Sequence, residues 1–286
     1  MRRSPLLATF ALFVLTGCAP RLQQVVAVPE IQVARARLLR FDPPGLSVTP
    51  QAELSLQLKV RNPNPFGVRL QQVAGNFLLN GHQAAQFRLP NLAVAARGVS
   101  RERAVVDVAI DPATLRQLFA VATGRAVPFR VRGSFQLDAG LFGRPRFGPY
   151  TLLQGVIHEH PALLPPSFRF RADLSRLTVG AGGLRVVLAL EVHNPDVLGY
   201  RLHFPLALRV GGAALARADF SGSVPALGSG LLYADFSLNP LAVPEAIARG
   251  ELSFSLSGAP LAITPGVGQT QFGLQILTGG SAPLQK

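Results

Sequence analysis

Residues 54–70 read LSLQLKVRNPNPFGVRL, and residues 186–202 read VVLALEVHNPDVLGYRL. In the first, residues 54–60 alternate apolar and polar with a period of two, the pattern of a half-buried strand. Both stretches then enter an Asn-Pro turn and leave it through Arg-Leu. Asn62, Pro63, Gly67, Arg69 and Leu70 match Asn194, Pro195, Gly199, Arg201 and Leu202, each pair 132 positions apart. The match continues in order. Asp107 to Pro112 answers Asp235 to Pro240, and Phe129 to Gly133 answers Phe254 to Gly258, at offsets of 128 and 125. A chain that repeats three motifs in one order with a slowly drifting offset is an internal duplication.

Each copy reads as mostly strand. In the first, the pattern predicts strands over 31–39, 53–60, 68–73, 76–79, 103–110 and 129–137. One helix is expected between the last two, with Asp111 as N-cap, Pro112 at its first position, Leu115, Leu118 and Phe119 as its apolar face, and Gly124 as its stop. Asn239, Pro240 and Gly250 repeat the cap and the stop. Short strands separated by Gly and Pro turns predict an all-β fold: two tandem antiparallel β-sandwiches of the immunoglobulin or fibronectin III kind, each with one short helix. The expected boundaries are 31–160 and 161–286, with the joint in the Pro-rich stretch from His160 to Pro166.

The composition suits folded cores. Of 286 residues 48% are hydrophobic and 15% charged, with a mean hydropathy of +0.30. The net charge is +13, nearly all of it arginine, since the lysines are Lys59 and Lys286 alone. Residues 1–17 read as a signal peptide: Arg2 and Arg3 precede an apolar run from Pro5 to Leu15, too short for the roughly 20 residues of a membrane-spanning helix. Leu15-Thr16-Gly17-Cys18 resembles the bacterial lipobox, which makes Cys18 the lipid attachment site and 18–30 a lipidated N-terminus and linker. Acyl chains contribute about 0.8 kcal/mol per buried CH₂, so such an anchor is durable. With Cys18 acylated no thiol remains for disulfides, and the cores must hold by apolar packing.

The Asn-Pro-Asn element behind an alternating strand resembles the water stress and hypersensitive response (WHy) domain of the type-2 late embryogenesis abundant family. The likeness rests on 54–70, on Gly75, Leu78, Asn80, Gly81 and Ala84, and on the Asp111-Pro112 helix start. It covers 31–157, and more weakly 168–277, where Asn194-Pro195-Asp196 is followed by Val197 and Leu198 in place of Pro65 and Phe66. The resemblance implies an ordered, non-catalytic sandwich that protects proteins or membranes during drying or freezing, with no cofactor. The loop residues Asn62, Pro63, Asn64, Pro65, Gly67, Asn194, Pro195, Asp196 and Gly199 read as structural: Asn closes Asx-turns, Pro presets φ, and Gly67 admits a positive φ.

Catalytic patterns fail. Gly266-Val267-Gly268 lacks a third glycine, and there is no Gly-Lys-Ser/Thr, no Gly-x-Ser-x-Gly and no His-Glu-x-x-His. His158 and His160 share a strand face and could hold a metal, but no third ligand accompanies them, so no metal site is assigned. Asp107 and Asp235 occupy matching solvent-facing positions. Sixteen basic residues stand against seven acidic ones over 31–160, a balance of +9, whereas 161–286 carries +2. Lys59 with Arg61, Arg101 with Arg103, and Arg130 with Arg132 each fall on one side of a strand. They are candidate contacts to an anionic lipid or envelope polymer; nucleic acid is excluded as a partner because no stacking motif accompanies the arginines in an exported chain. The sequence thus reads as a lipid-anchored envelope protein, not an enzyme, that acts in water-stress protection with client proteins. The alternative is a structural or adaptor lipoprotein that binds another envelope protein or a glycan.

Overall fold

The computed structural model describes residues 26–158, 163–180, 183–273 and 275–285. The first half holds strands β1 (Glu30–Asp42), β2 (Gln51–Arg61), β3 (Val68–Leu79), β4 (His82–Leu89), β5 (Leu92–Val94), β6 (Val99–Val108), β7 (Val127–Asp138) and β8 (Arg146–Ile157). A helix, α1 (Pro112–Ala122), lies between β6 and β7. The strands form two antiparallel sheets, one in the order β1-β2-β6 and one in the order β4-β3-β7-β8 with β5 also on β3. The alternation of β2 explains the layering. Leu54, Leu56, Leu58 and Val60 are buried, while Gln57, Lys59 and Arg61 face out. Each buried aliphatic side chain contributes roughly 1.5–3 kcal/mol, so a strand that keeps this register is favoured over one slipped by a single residue.

Helix α1 forms as its cap predicts. The Asp111 carboxylate accepts hydrogen bonds from Ala113 N (2.9 Å) and Thr114 N (3.0 Å), and Gly124 follows the helix with φ +79°. Leu118 is buried, and Leu115 and Phe119 pack at the margin of the core.

Some strands differ from the expectation. The two segments over 68–73 and 76–79 form one strand, β3, whose pairing with β7 shifts between Gln71 and Ala74, beside Gln72 at φ +50°. Strand β4 follows a tight turn at Asn80 (φ +46°) and Gly81 (φ +87°), the backbone that an Asn-Gly hairpin requires. Strand β8 contains Pro149, which its position at the sheet edge tolerates.

The second half repeats the plan with breaks. Its strands are β9 (Ser167–Phe170), β10 (Arg176–Gly180), β11 (Gly183–His193), β12 (Tyr200–Val210), β13 (Ala213–Val224), β14 (Ser229–Leu238), β15 (Glu251–Gly258), β16 (Leu261–Thr264), β17 (Gly268–Gln271) and β18 (Gln275–Gln285), with α2 (Pro244–Arg249) before β15. Strand β11 lies between β14 and the pair β9 and β10, as β2 lies between β6 and β1. Strand β12 pairs with β13, β15 and β16, as β3 pairs with β4 and β7. Strands β17 and β18 then take the place of β8. One pairing has no counterpart: β18 also runs parallel to β10 and joins the two sheets along one side. The helix differs too. Asn239 caps only a 3-10 turn over Pro240–Ala242, and a six-residue helix restarts at Pro244, whose missing N–H cannot continue the first turn.

Two buried cores result, one per half. They meet end to end, and Leu198, Val197 and Val267 of the second half pack onto the first core. Among the described residues no helix is long and apolar enough to cross a membrane.

Candidate functional site

The Asn-Pro loops are built twice, almost bond for bond. The Asn62 amide donates to Phe66 O (2.8 Å) and Ala95 O (3.0 Å), while the Asn194 amide donates to Leu198 O (2.9 Å) and Pro225 O (3.0 Å). Each side-chain oxygen closes an Asx-turn, accepting from Asn64 N at 3.0 Å and from Asp196 N at 2.8 Å. Opposite each loop is a turn whose corner residue is left-handed, Arg97 at φ +50° and Leu227 at φ +51°. Arg97 N donates to Asn64 O (2.9 Å) and Leu227 N to Asp196 O (2.8 Å). The loop therefore staples the end of one sheet to the strand entering the other.

The third loop residue holds the incoming chain. Asn64 accepts from Ala27 N (2.8 Å) and donates to Ala27 O (2.9 Å), and Asp196 accepts from Leu164 N (2.7 Å). Asn62, Asn64, Asn194 and Asp196 are all buried and each bonds to backbone, and Asn64 Nδ2 also donates to Asn62 Oδ1 (2.8 Å). Burial pushes the Asp196 carboxyl above the usual carboxylate range, against the lowering effect of the Leu164 bond. Next to it Tyr200 is fully buried with its hydroxyl unpaired, and burial together with Asp196 raises its pKa. The buried Asn and Asp side chains of these loops hold neighbouring backbone, whereas Pro65 is exposed and Phe66 only half-buried.

The loop glycines act differently from the expectation. Neither Gly67 nor Gly199 has a positive φ, because the Asx-turns supply the reversal. Gly67 stands in open space, its nearest neighbour being Val94 O at 3.8 Å from an added Cβ. A Cβ on Gly199 would meet Asp42 Oδ1 at 2.2 Å. Gly199 thus makes room for Asp42, a residue at the end of β1 that the sequence pattern did not single out. Asp42 is buried. It accepts from Ala226 N (2.7 Å), from Arg40 Nε (2.9 Å) and from Gln51 Nε2 (3.1 Å). Phe41 N donates to Val197 O (2.7 Å) and Gly199 N to Phe41 O (2.8 Å), so the second loop is bridged directly to β1.

The basic residues divide between opposite faces. Lys59 and Arg101 are cross-strand partners on the outer face of the β1-β2-β6 sheet, with Arg61 and Arg103 beside them. Arg130 and Arg132 lie on the outer face of the other sheet, where they line a hollow of about 370 Å³ with Asn80 and Gly81. Like charges directly opposite on adjacent strands repel, so the Lys59–Arg101 pair concentrates positive charge on this face. Another hollow, of about 630 Å³, adjoins the first loop between Gly67, Arg69, Val94 and Asp138. Asp107 is exposed, and Asp235 forms an ion pair with Arg185 that holds its carboxyl below the usual range. Cys18 and His160 lie outside the described residues. Among the described residues no group of three His, Cys, Asp or Glu side chains is placed to hold a metal.

The first half carries the decisive likeness. Residues 57–149 match the late embryogenesis abundant protein family. The match spans the first Asn-Pro loop, α1 and the strands up to the start of β8, which supports type 2 of that family. The late embryogenesis abundant segment thus coincides with the copy whose loop reads Asn-Pro-Asn. None of the curated proteins matches the chain. Solved structures similar to it include the transglutaminase of red sea bream, at 10% identity over 91% of this chain and 31% of that one, with a TM-score of 0.26. A Porphyromonas gingivalis protein of unknown function shows 12% identity, 90% and 100% coverage and a TM-score of 0.24. The E. coli chaperone DraB shows 12% identity, 88% and 98% coverage and a TM-score of 0.22. This chain spans about a third of the transglutaminase, and likeness at such scores assigns no activity.

Proposed function

We propose that this protein is a lipid-anchored component of the cell envelope, held through Cys18, that protects proteins or membranes without catalysis when water is withdrawn. The late embryogenesis abundant match over 57–149 carries the protective, non-catalytic part of this reading, and the anchor rests on the Leu15-Thr16-Gly17-Cys18 pattern. The buried loops are consistent with it: the residues most characteristic of the resemblance are spent on holding two sheets and an incoming strand together. What remains for function is the surface. A rigid, disulfide-free sandwich that keeps its shape as water activity falls would act by covering other surfaces.

The test is freeze–thaw and drying of a labile enzyme with and without the purified chain, alongside desiccation survival of a deletion strain. Enzyme recovery well above that given by an equal mass of an unrelated β-sandwich, together with lowered survival of the deletion strain, is the expected result. Unchanged recovery and survival, with one stable co-purifying envelope protein, would replace this reading by that of an adaptor.

A further inference from the structure

In the second half, the end of the sandwich that carries the Asn194 loop is covered. Leu198 and Ala226 are buried there, Val267 packs on the first core, and Gly266 sits so close to Phe119 that an added Cβ would meet the ring at 2.5 Å. The first half possesses the same end, with Phe66 in the place of Leu198, Ala96 in the place of Ala226, and residues 139–145 in the place of 265–267. Among the described residues nothing covers it. Leu141 is 104% exposed and Phe142 39%, at the tip of a 3-10 turn over Gly140–Phe142. Phe142 stacks on Phe66 with ring centroids 4.6 Å apart, and Asp138 Oδ1 accepts from Gly140 N (3.1 Å), so the turn is held and Leu141 projects from it. Val99, 51% exposed, opens β6 at the same end.

We propose that this end is a membrane-facing surface: Leu141 and Phe142 enter the interfacial layer of an anionic bilayer, and Arg61, Arg97, Arg101 and Arg144 meet its phosphate headgroups. The inference rests on the lipid-anchored reading above. Two observations name the bilayer as the occupant. The first is the tether. Asn64 holds Ala27 by two hydrogen bonds, so the chain leaves the first half at this end. Seven residues lie between Val26 and Cys18, a length that reaches at most about 28 Å when fully extended. The second is the rim. The four arginines are exposed at the same end as the apolar tip, and among the described residues ion pairs join Arg61 to Glu30 (3.8 Å) and Arg144 to Asp138 (3.3 Å), which leaves Arg97 and Arg101 in excess there. An apolar tip at a basic end is the composition of interfacial membrane contacts, where burial of Leu and Phe adds to attraction by anionic lipid.

The experiment uses the processed chain carrying Cys18→Ser, which has no other cysteine. Leu141→Cys and Leu241→Cys are labelled singly with an environment-sensitive fluorophore; Leu241, 85% exposed in the second half, is the control. Phosphatidylglycerol vesicles should shift the label at 141 to the blue and leave the label at 241 unchanged. Pure phosphatidylcholine vesicles should do neither, and added salt should weaken the effect. Leu141→Asp should lower affinity for the anionic vesicles about tenfold without changing the melting temperature. No shift at 141, equal shifts at both positions, or full vesicle binding by Leu141→Asp would overturn the proposal. Labelled palmitate incorporation at Cys18 is read separately in cells. A lipidated chain whose tip stays in water fails this inference alone, whereas an inserting tip on an unlipidated chain fails the anchored reading alone.

Discussion

At the residue scale, one of the differences between the copies, Asn64 against Asp196, changes the chemistry with which the loop holds the entering strand. Asn64 offers both a donor and an acceptor to the entering strand; Asp196 offers only acceptors and carries a buried charge. Burial lifts the Asp196 pKa above its unfolded value, so the folded state binds the proton more tightly. Its contribution to stability is therefore greatest at low pH, declines as pH rises through the carboxylate range, and stays reduced above it. Asp196→Asn should stabilise the chain by about 1 kcal/mol at pH 7, through the removed charge and one further hydrogen bond. Thermal melts should show that gain shrinking as pH is lowered toward about 4. An equal gain at both pH values would show that charge is not its source. The Asn-Pro pairs were legible in the sequence because an Asx-turn is local chemistry. Asp42 was not, since its principal backbone partner, Ala226, lies 184 residues away.

At the scale of elements, caps and turns decide what forms. The bonds from the Thr114 hydroxyl and backbone hold the Asp111 carboxyl below the usual range. A lowered folded pKa means that the stabilisation is present above the unfolded value and lost as pH falls through the folded one. Asp111→Ala should lower the melting temperature at pH 7 and should cost progressively less as the solution is acidified past the unfolded carboxylate pKa. Circular dichroism melts at neutral and acid pH check both. In the second half the same cap yields only a 3-10 turn, because Pro244 interrupts what α1 carries through in one piece. Strands β1, β2, β6 and β7 were legible from alternation. Strands β4 and β8 were not: the Asn80-Gly81 hairpin joins β4 to β3, and β8 carries Pro149, which only an edge position tolerates.

At the scale of the whole molecule, two glycines at equivalent positions have unequal duties. Gly67→Ala should leave the melting temperature unchanged, since its Cβ meets nothing nearer than ordinary contact distance. Gly199→Ala places a methyl against Asp42 Oδ1 and against Leu46 Cδ1 at 3.0 Å, and so displaces the carboxylate from Ala226 N. Loss of that buried bond costs about 1–3 kcal/mol and should fall on the contact between the halves. Calorimetry should resolve an earlier transition in Gly199→Ala, and small-angle scattering a longer particle. A single unshifted transition would show that Asp42 does not couple the halves.

Read alone, the chain yields the alternating strands β1, β2, β6 and β7, the repeated motifs, the Asx-turns of the Asn-Pro pairs and the first helix, all of which follow from periodicity and contacts within a few residues. That one loop end is sealed and the other bare among the described residues is settled by the packing of the two halves. Leu198 and Phe66 occupy the same place in the same motif, yet Leu198 is buried in the first core while Phe66 supports an exposed apolar tip. The local hydrogen bonding is closely alike at the two ends, because both Asn-Pro pairs close the same Asx-turn. Coverage depends instead on which surface the distant end of β1 meets when the two halves stack, and no short stretch of chain contains that information.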